Sequence, residues 1–141
     1  TYFTPGMRLE VDGLTVRQKL EPWTYSVNTY MSRGAIAINQ SYGATVPGGY
    51  MRGLDVECWA PDRDDLQMSG AHDLTIEAPR FVRYKLDGTR EPARILVYNT
   101  CTGIEITDVQ EPVLVKWNDR QTGALLQTWN LAPGDSWRSP N

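Results

Sequence analysis

The only histidine of the chain is the first residue to consider for catalysis. His72 lies in the segment Ser69-Gly70-Ala71-His72-Asp73, which brings a serine, a histidine and an aspartate close together in sequence. A nucleophilic triad needs these groups to converge in space, with the acid orienting the base. Sequence neighbours in a loop tend to diverge, and the chain has no Gly-x-Ser-x-Gly turn. The sequence therefore predicts no nucleophilic site and favours a surface loop for His72.

Paired carboxylates are the second possible chemistry. Glycoside hydrolysis needs two acids roughly 5–10 Å apart across a cleft. Glu57, Glu77 and Glu105 each fall in a candidate strand and could face outward together. Any β-protein with this many acids offers such pairs, so the pattern is typical of surface charge rather than of an active site.

Metal ligands are the third possibility. Asp62, Asp64 and Asp65 offer oxygens to calcium, but the EF-hand spacing is missing, and a solvated acidic turn beside Arg63 is the favoured interpretation. Cys58 and Cys101 form no Cys-x-x-Cys pair, and because nothing else marks a secreted chain, two buried free thiols are favoured over one disulfide. We expect no catalytic residue, no cofactor-binding residue, no cofactor and no metal ligand, and hence a protein that is not an enzyme.

Length and charge limit the class of protein further. A chain of 141 residues fits one domain, which we place at residues 1–141. The net charge of −3 disfavours nucleic acid as a partner. No run of 18 apolar residues is present, so no membrane span is expected. Thr1 fits equally the removal of an initiator methionine and the cleavage of a signal peptide.

Short runs of β-forming residues alternate with glycine and proline along the whole chain. Asp12-Gly13 between two such runs is typical of a type I′ hairpin. Residues 1–6 are interpreted as a possible N-terminal arm, and residues 40–53 as a long loop. The spacing predicts an all-β, single-domain β-sandwich of jelly-roll or Greek-key type, with about eight to ten short antiparallel strands and little or no helix.

The last quarter of the chain predicts a second hairpin, in which two β-rich runs flank a polar stretch containing Gly123. Alternation places Trp117 on the core face of the first run, and Leu125, Trp129 and Leu131 on a common face of the second. Trp137 follows a Pro-Gly turn and has no evident intramolecular contact. We therefore expect Trp137 to be exposed or covered by a partner.

The aromatic composition gives the functional hypothesis. Seven tyrosines and five tryptophans outnumber two phenylalanines, and Tyr and Trp are favoured at interfaces. The candidate partner-binding residues are Trp23, Tyr25, Tyr42, Tyr50 and Trp137.

The first hypothesis is a non-enzymatic structural or assembly protein, such as a virion accessory or capsid-decoration protein. It would act through protein–protein contacts as a homo-oligomer or bound to a larger lattice. The alternative is a small carbohydrate-binding module or lectin, and a weaker third is an enzyme accessory or inhibitor domain. The pattern favours a virion or an extracellular setting over that of a cytosolic enzyme.

Overall fold

The computed structural model describes residues 2–3, 8–18, 35–39, 49–59, 64–85 and 87–141. These residues form an all-β protein of fifteen strands, and none of them lies in a helix that could cross a membrane. In chain order the strands are β1 (Tyr2–Phe3), β2 (Glu10–Asp12), β3 (Thr15–Gln18), β4 (Ile36–Asn39), β5 (Gly49–Arg52), β6 (Asp55–Cys58), β7 (Leu66–Ser69), β8 (Leu74–Glu77), β9 (Arg80–Tyr84), β10 (Arg90–Glu91), β11 (Ala93–Tyr98), β12 (Glu105–Thr107), β13 (Val113–Asn118), β14 (Leu125–Leu131) and β15 (Trp137–Arg138).

The strands form three mixed sheets. In spatial order, sheet A is β1-β4-β7-β11-β13-β14, sheet B is β15-β12-β8-β5-β2 and sheet C is β10-β9-β6-β3. From β1 to β9 the chain visits sheets A, B and C in strict rotation three times, and each strand pairs in parallel with its equivalent in the next turn. The chain therefore winds as a parallel β-helix, in which each turn contributes one strand to each of three faces.

Because the strands pair in parallel, apolar side chains of successive turns lie above one another along the axis of the β-helix. In sheet A, Ile36 pairs with Leu66, Leu66 with Ile95, and Ile95 with Val115. All four are buried, as are most residues of the matching inward row of sheet B. That row is Val11, Met51, Ile76, Ile106 and Trp137. Alternation thus directs one face of every sheet into a shared apolar core, and burial of this core is the main stabilising term.

In successive turns, the chain leaves sheet B through a residue with a positive φ. The residue after each strand β2, β5, β8 and β12 has a positive φ: Gly13 (81°), Gly53 (62°), Ala78 (47°) and Asp108 (50°). A single left-handed residue makes the sharp bend that redirects the chain into the next face. Hydrogen bonds from the Gly13 amide to the Arg52 carbonyl (2.9 Å) and from the Ala78 amide to the Thr107 carbonyl (2.8 Å) continue the backbone pairing around this corner.

The last part of the chain departs from the winding and covers the end of the core. Strand β14 turns back antiparallel to β13, with Val115 beside Trp129, and β15 runs antiparallel to β12. The Trp137 ring meets Trp129 edge-on at 5.3 Å and lies 6.5 Å from Trp117. These three indoles close the C-terminal end of the apolar interior.

Several expectations from the sequence differ from this fold. The antiparallel jelly-roll or Greek-key sandwich is not confirmed, because most strands pair in parallel with strands 20 or more residues away. The Asp12-Gly13 hairpin is wrong: β2 pairs with β5 and β3 with β6, so the turn joins two faces instead of two neighbours. Residues 49–52 of the expected loop 40–53 form β5, and residues 2–3 of the expected arm form β1 against β4. Residue 53 of the expected loop lies at the corner after β5, and residues 40–48 lie outside the described residues.

Other expectations are confirmed. The hairpin of the last quarter is β13–β14, closed by Gly123 with a positive φ of 75°. Leu54, Val56 and Cys58, which alternate with Asp55 and Glu57 in the sequence, are all buried. Cys58 and Cys101 are both free and buried.

Candidate functional site

The outward face of sheet B carries ion pairs between successive turns. Arg52 reaches Glu77 at 2.7 Å, and Arg138 reaches Glu105 at 2.7 Å. The two residues of each pair lie on neighbouring strands, because β5 pairs with β8 and β12 with β15. Two of the three glutamates considered for glycoside hydrolysis are therefore each held by an arginine. Exposed pairs of this kind contribute about 0–1 kcal/mol each.

The outward face of sheet C has a similar network. Asp55 accepts hydrogen bonds from Arg17 (2.8 Å) and Arg80 (2.5 Å), and Arg80 also reaches Glu57 at 3.2 Å. The Arg17 guanidinium beside Asp55 holds the pKa of that carboxyl below its usual value. The third glutamate is thus also paired with an arginine, and it lies on a different face from the other two.

One ionic cluster lies inside the β-helix. Arg83 and Asp65 are both 0% exposed, with 3.3 Å between the Arg83 Nη1 and the Asp65 Oδ1. Arg83 Nε also donates to Glu91 at 2.7 Å, and the Arg94 amide donates to Asp65 at 2.8 Å. Burial raises the pKa of Asp65. Burial would also raise the pKa of Glu91, but the hydrogen bond from Arg83 brings that pKa below its usual value.

The acidic turn of residues 62–65 is therefore not uniformly solvated. Asp65 is buried against Arg83, and Asp64 pairs with Lys116 at 2.5 Å. Asp62 and Arg63 lie outside the described residues. Among the described residues, no three His, Cys, Asp or Glu side chains are grouped closely enough to hold a metal ion.

His72 is half-buried and forms an isolated parallel bridge with Thr102 in the next turn. Its Nδ1 lies 2.6 Å from the Thr102 hydroxyl. The serine of the segment considered for catalysis, Ser69, instead accepts a hydrogen bond from Arg120 Nε at 3.2 Å. His72 and Ser69 thus each have a partner of their own in a neighbouring turn or hairpin.

The two candidate binding residues that the structure describes, Tyr50 and Trp137, both contact other side chains of this chain. The Arg52 guanidinium lies 4.1 Å above the Tyr50 ring. The expectation that Trp137 is exposed is wrong: it is 6% exposed, because the chain after Pro133-Gly134 returns to sheet B and inserts the ring under Trp129. Trp23, Tyr25 and Tyr42 lie outside the described residues.

The edge strands of the three sheets differ in how well they are protected against pairing with another chain. Natural β-proteins keep edge strands short or charged, since a free edge can pair with another chain. Four edge strands follow that rule, with two to four residues each and at least one charged residue: β2, β3, β10 and β15. The fifth, β1, has two residues.

Strand β14 is the exception among the described edges. It has seven residues, Leu-Leu-Gln-Thr-Trp-Asn-Leu, without charge or proline. It pairs with β13 on one side and has no strand on the other in the part of the chain that the structure describes. Leu125 and Leu126 are 57% and 54% exposed, and they are the exposed large hydrophobic residues of the described surface.

The exposure of β14 follows from its position past the last turn of the β-helix. Leu131 and Trp129 lie opposite Val113 and Val115 and are buried and half-buried, whereas Gln127 opposite Trp117 and Leu125 opposite Asn118 are exposed. Alternation predicted that Leu125 shares a face with Trp129 and Leu131, but the pairing with β13 shifts register at Leu126 and places Leu125 opposite Asn118. The sequence signal for the site is the absence of charge over a complete strand.

Comparison of the sequence with models of protein families, with curated proteins and with solved structures finds no match.

Proposed function

We propose that this chain is a non-enzymatic structural module that acts through protein–protein contacts, with the free edge of β14 as its contact surface. The observation that carries the proposal is the contrast between β14 and the other edges. A long, uncharged, apolar edge strand is a template for pairing with a further strand. The exposed Leu125 and Leu126 side chains add apolar area that a partner would bury.

The rest of the described surface supports a structural role. Ion pairs connect neighbouring strands on the outward faces of sheets B and C. The core is continuous from Leu9 to Trp137, so β14 is held on a rigid support. A rigid support favours binding because little conformational entropy is lost when the edge pairs. A virion or capsid-decoration role is a finer form of this proposal.

Light scattering during size-exclusion chromatography tests this function over a range of concentrations. We expect the wild-type chain to exceed the mass of one chain, and we expect Leu126→Lys to reduce the association by placing a charge on the edge. Gln121→Lys is the matched control, since it adds the same charge at the exposed hairpin turn. A wild-type chain that remains monomeric at every concentration and binds no lattice would contradict the proposal.

The alternative of carbohydrate binding has weaker support from the described residues. A sugar-binding platform needs an open ring face. Trp59 and Tyr84 stack on one another at 4.5 Å, Arg90 lies 5.9 Å from the Tyr84 ring and Arg120 lies 5.2 Å from the Tyr98 ring. Each of these rings thus has at least one face against another side chain.

A further inference from the structure

We propose that the side chains of Lys116 and Asp64 condense to an amide, so that an isopeptide bond joins strand β13 to the segment before β7. The observation that carries this proposal is the contact between the two groups: the Lys116 Nζ lies 2.5 Å from the Asp64 Oδ1. An amine and a carboxyl together contain the atoms of an amide, and their union releases only water. The bond does not depend on whether the edge of β14 binds a partner.

The approach of the two atoms differs from that of a hydrogen bond. The Asp64 Oδ1 is buried and has no hydrogen-bond partner among the described residues, although the Lys116 Nζ is close enough to be one. The direction of approach is therefore unsuitable for a hydrogen bond. Because a C–O bond is about 1.2 Å long, the Nζ lies within about 3.7 Å of the Asp64 Cγ. Atoms held about 3–3.5 Å apart are placed for reaction, so this contact suits attack of the amine on the carboxyl carbon.

The surroundings of the pair favour a neutral amide over two ions. The side chains of Lys116 and Asp64 are 24% and 15% exposed. Leu96, which lies between Gln67 of β7 and Lys116 of β13 on the outward face of sheet A, is only 6% exposed. Burial disfavours charged groups, and the exclusion of water protects a reactive contact from hydrolysis.

Both groups are attached to backbone that sheet A holds in place. Lys116 lies in the middle of β13, which pairs with β11 on one side and β14 on the other. The residue after Asp64 is fixed by two backbone hydrogen bonds: the Asp65 amide donates to the Arg94 carbonyl at 2.8 Å, and the Ile36 amide donates to the Asp65 carbonyl at 3.1 Å. Groups held together in this way react as if at a very high concentration.

The condensation balances without a further reactant. The lysine ammonium carries three protons, of which one stays on the amide nitrogen and two leave with one carboxylate oxygen as water. A bond forms between the Lys116 Nζ and the Asp64 Cγ, one C–O bond of Asp64 breaks, and nothing is oxidised or reduced. Arginine supplies the cation in the other ion pairs of the described residues, and its guanidinium stays protonated. The pair of Lys116 and Asp64 is therefore the one among them that has this chemistry.

Mass spectrometry of the intact, denatured chain tests the bond. After incubation at neutral pH for several days, we expect the wild type to be lighter than its sequence mass by one water molecule. Lys116→Arg keeps the positive charge but cannot condense, and Asp64→Ala lacks the carboxyl, so both variants should have their full mass. Lys85→Arg is the matched control, since it makes the same change at an exposed lysine and should leave the loss of water intact.

Digestion with trypsin locates the bond. Trypsin does not cut after an acylated lysine, so residues 64–80 should appear joined to residues 95–120 in one branched fragment. Without the bond, the two segments separate and the chain is cut after Lys116. A succinimide at Asp12-Gly13 or Asp87-Gly88 would also lose water. Hydroxylamine opens a succinimide and leaves an amide intact, so treatment with it distinguishes the two products.

Each outcome decides the proposal. Loss of one water in the wild type and in Lys85→Arg, but not in Lys116→Arg or Asp64→Ala, supports the isopeptide bond when the branched fragment is also found. A wild type of full mass would show that Lys116 and Asp64 form an ion pair only, and the same loss in Lys116→Arg would place the dehydration elsewhere. Either result overturns the proposal and leaves the function of the β14 edge untouched. The measurement on the wild type does not require any variant to fold.

Discussion

The indole ring of Trp137 meets that of Trp129 edge-on, with 5.3 Å between the ring centroids, at the end of the core beside β12 and β13. Edge-to-face contact at this distance is a favoured aromatic geometry. The pair closes an apolar interior that would otherwise be open to water at this end.

Removal of the Trp137 ring should destabilise the protein strongly. We expect Trp137→Ala to lower the free energy of unfolding by about 3–5 kcal/mol, the usual cost of deleting a buried aromatic ring. Trp137→Phe should cost less, because it keeps a ring and the buried Nε1 has no hydrogen-bond partner among the described residues. Urea unfolding measures both variants. The half-buried Trp59, changed to alanine, is the control, and an equal loss there would contradict the covering role of Trp137.

Two glycines at the same corner should differ in their tolerance of alanine. Gly13 and Gly53 have φ of 81° and 62°, so alanine is strained at both by about 1–2 kcal/mol. A Cβ at Gly13 would contact nothing within 4 Å, whereas a Cβ at Gly53 would lie 3.2 Å from the Gly13 amide nitrogen. We expect Gly53→Ala to lower the melting temperature more than Gly13→Ala. The reverse order would show that crowding between turns is unimportant at this corner.

The buried ion pair predicts a difference between a single and a double substitution. Arg83→Met leaves Asp65 buried and without its guanidinium, and such a change typically costs about 3–5 kcal/mol. Arg83→Met combined with Asp65→Asn removes the uncompensated charge, so we expect the double variant to be more stable than the single one. Chemical denaturation at neutral pH measures both. A double variant that is the less stable of the two would contradict this account.

Cys101 should make the protein less stable at alkaline pH. Burial raises the pKa of this thiol to about 11, from an ordinary value of 9.0. The folded state keeps the proton to higher pH than the unfolded state does, so stability is complete below pH about 9 and is lost as pH rises toward 11. The loss is about 1.4 kcal/mol per pH unit, or about 2–3 kcal/mol in total.

The variant Cys101→Ala should lack this component. Its unfolding free energy, measured from pH 8 to about 11, should fall less steeply than that of the wild type. Parallel curves would show that the thiol does not ionise differently on unfolding. In the wild-type protein at neutral pH, thiol reagents should label Cys101 only at the rate at which the protein opens, because the Cys101 side chain is fully buried.

The sequence predicts the strands better than their partners. Alternation places Val56 and Cys58 correctly in the core, and Gly123 marks the hairpin of β13 and β14. Gly13 shows the limit of local patterns, since a positive φ serves equally in a tight hairpin and at a corner of a β-helix. Only the long-range pairing of β2 with β5 separates the two, and no local pattern encodes it.

The β-helical winding is also difficult to recognise in the sequence, because its turns differ in length. In sheet B, Glu10 pairs with Tyr50 and Tyr50 with Thr75, so successive turns differ in length. Repeats are recognised in a sequence by a fixed period, and this chain has none. The exposure of Leu125 likewise goes with the register shift between β13 and β14 at Leu126, which the sequence of β14 alone does not specify.

The corner between sheets B and C has a consequence for insertion of foreign segments. It is two residues long in three successive turns, Gly13-Leu14, Gly53-Leu54 and Ala78-Pro79. The connections from sheet C back to sheet A vary widely, from Gln18 to Ile36 in one turn and from Cys58 to Leu66 in the next. Variation in length is therefore confined to other corners. A peptide grafted between sheets C and A would leave the stacked registers intact, whereas the same graft after Gly53 would separate two faces of the molecule.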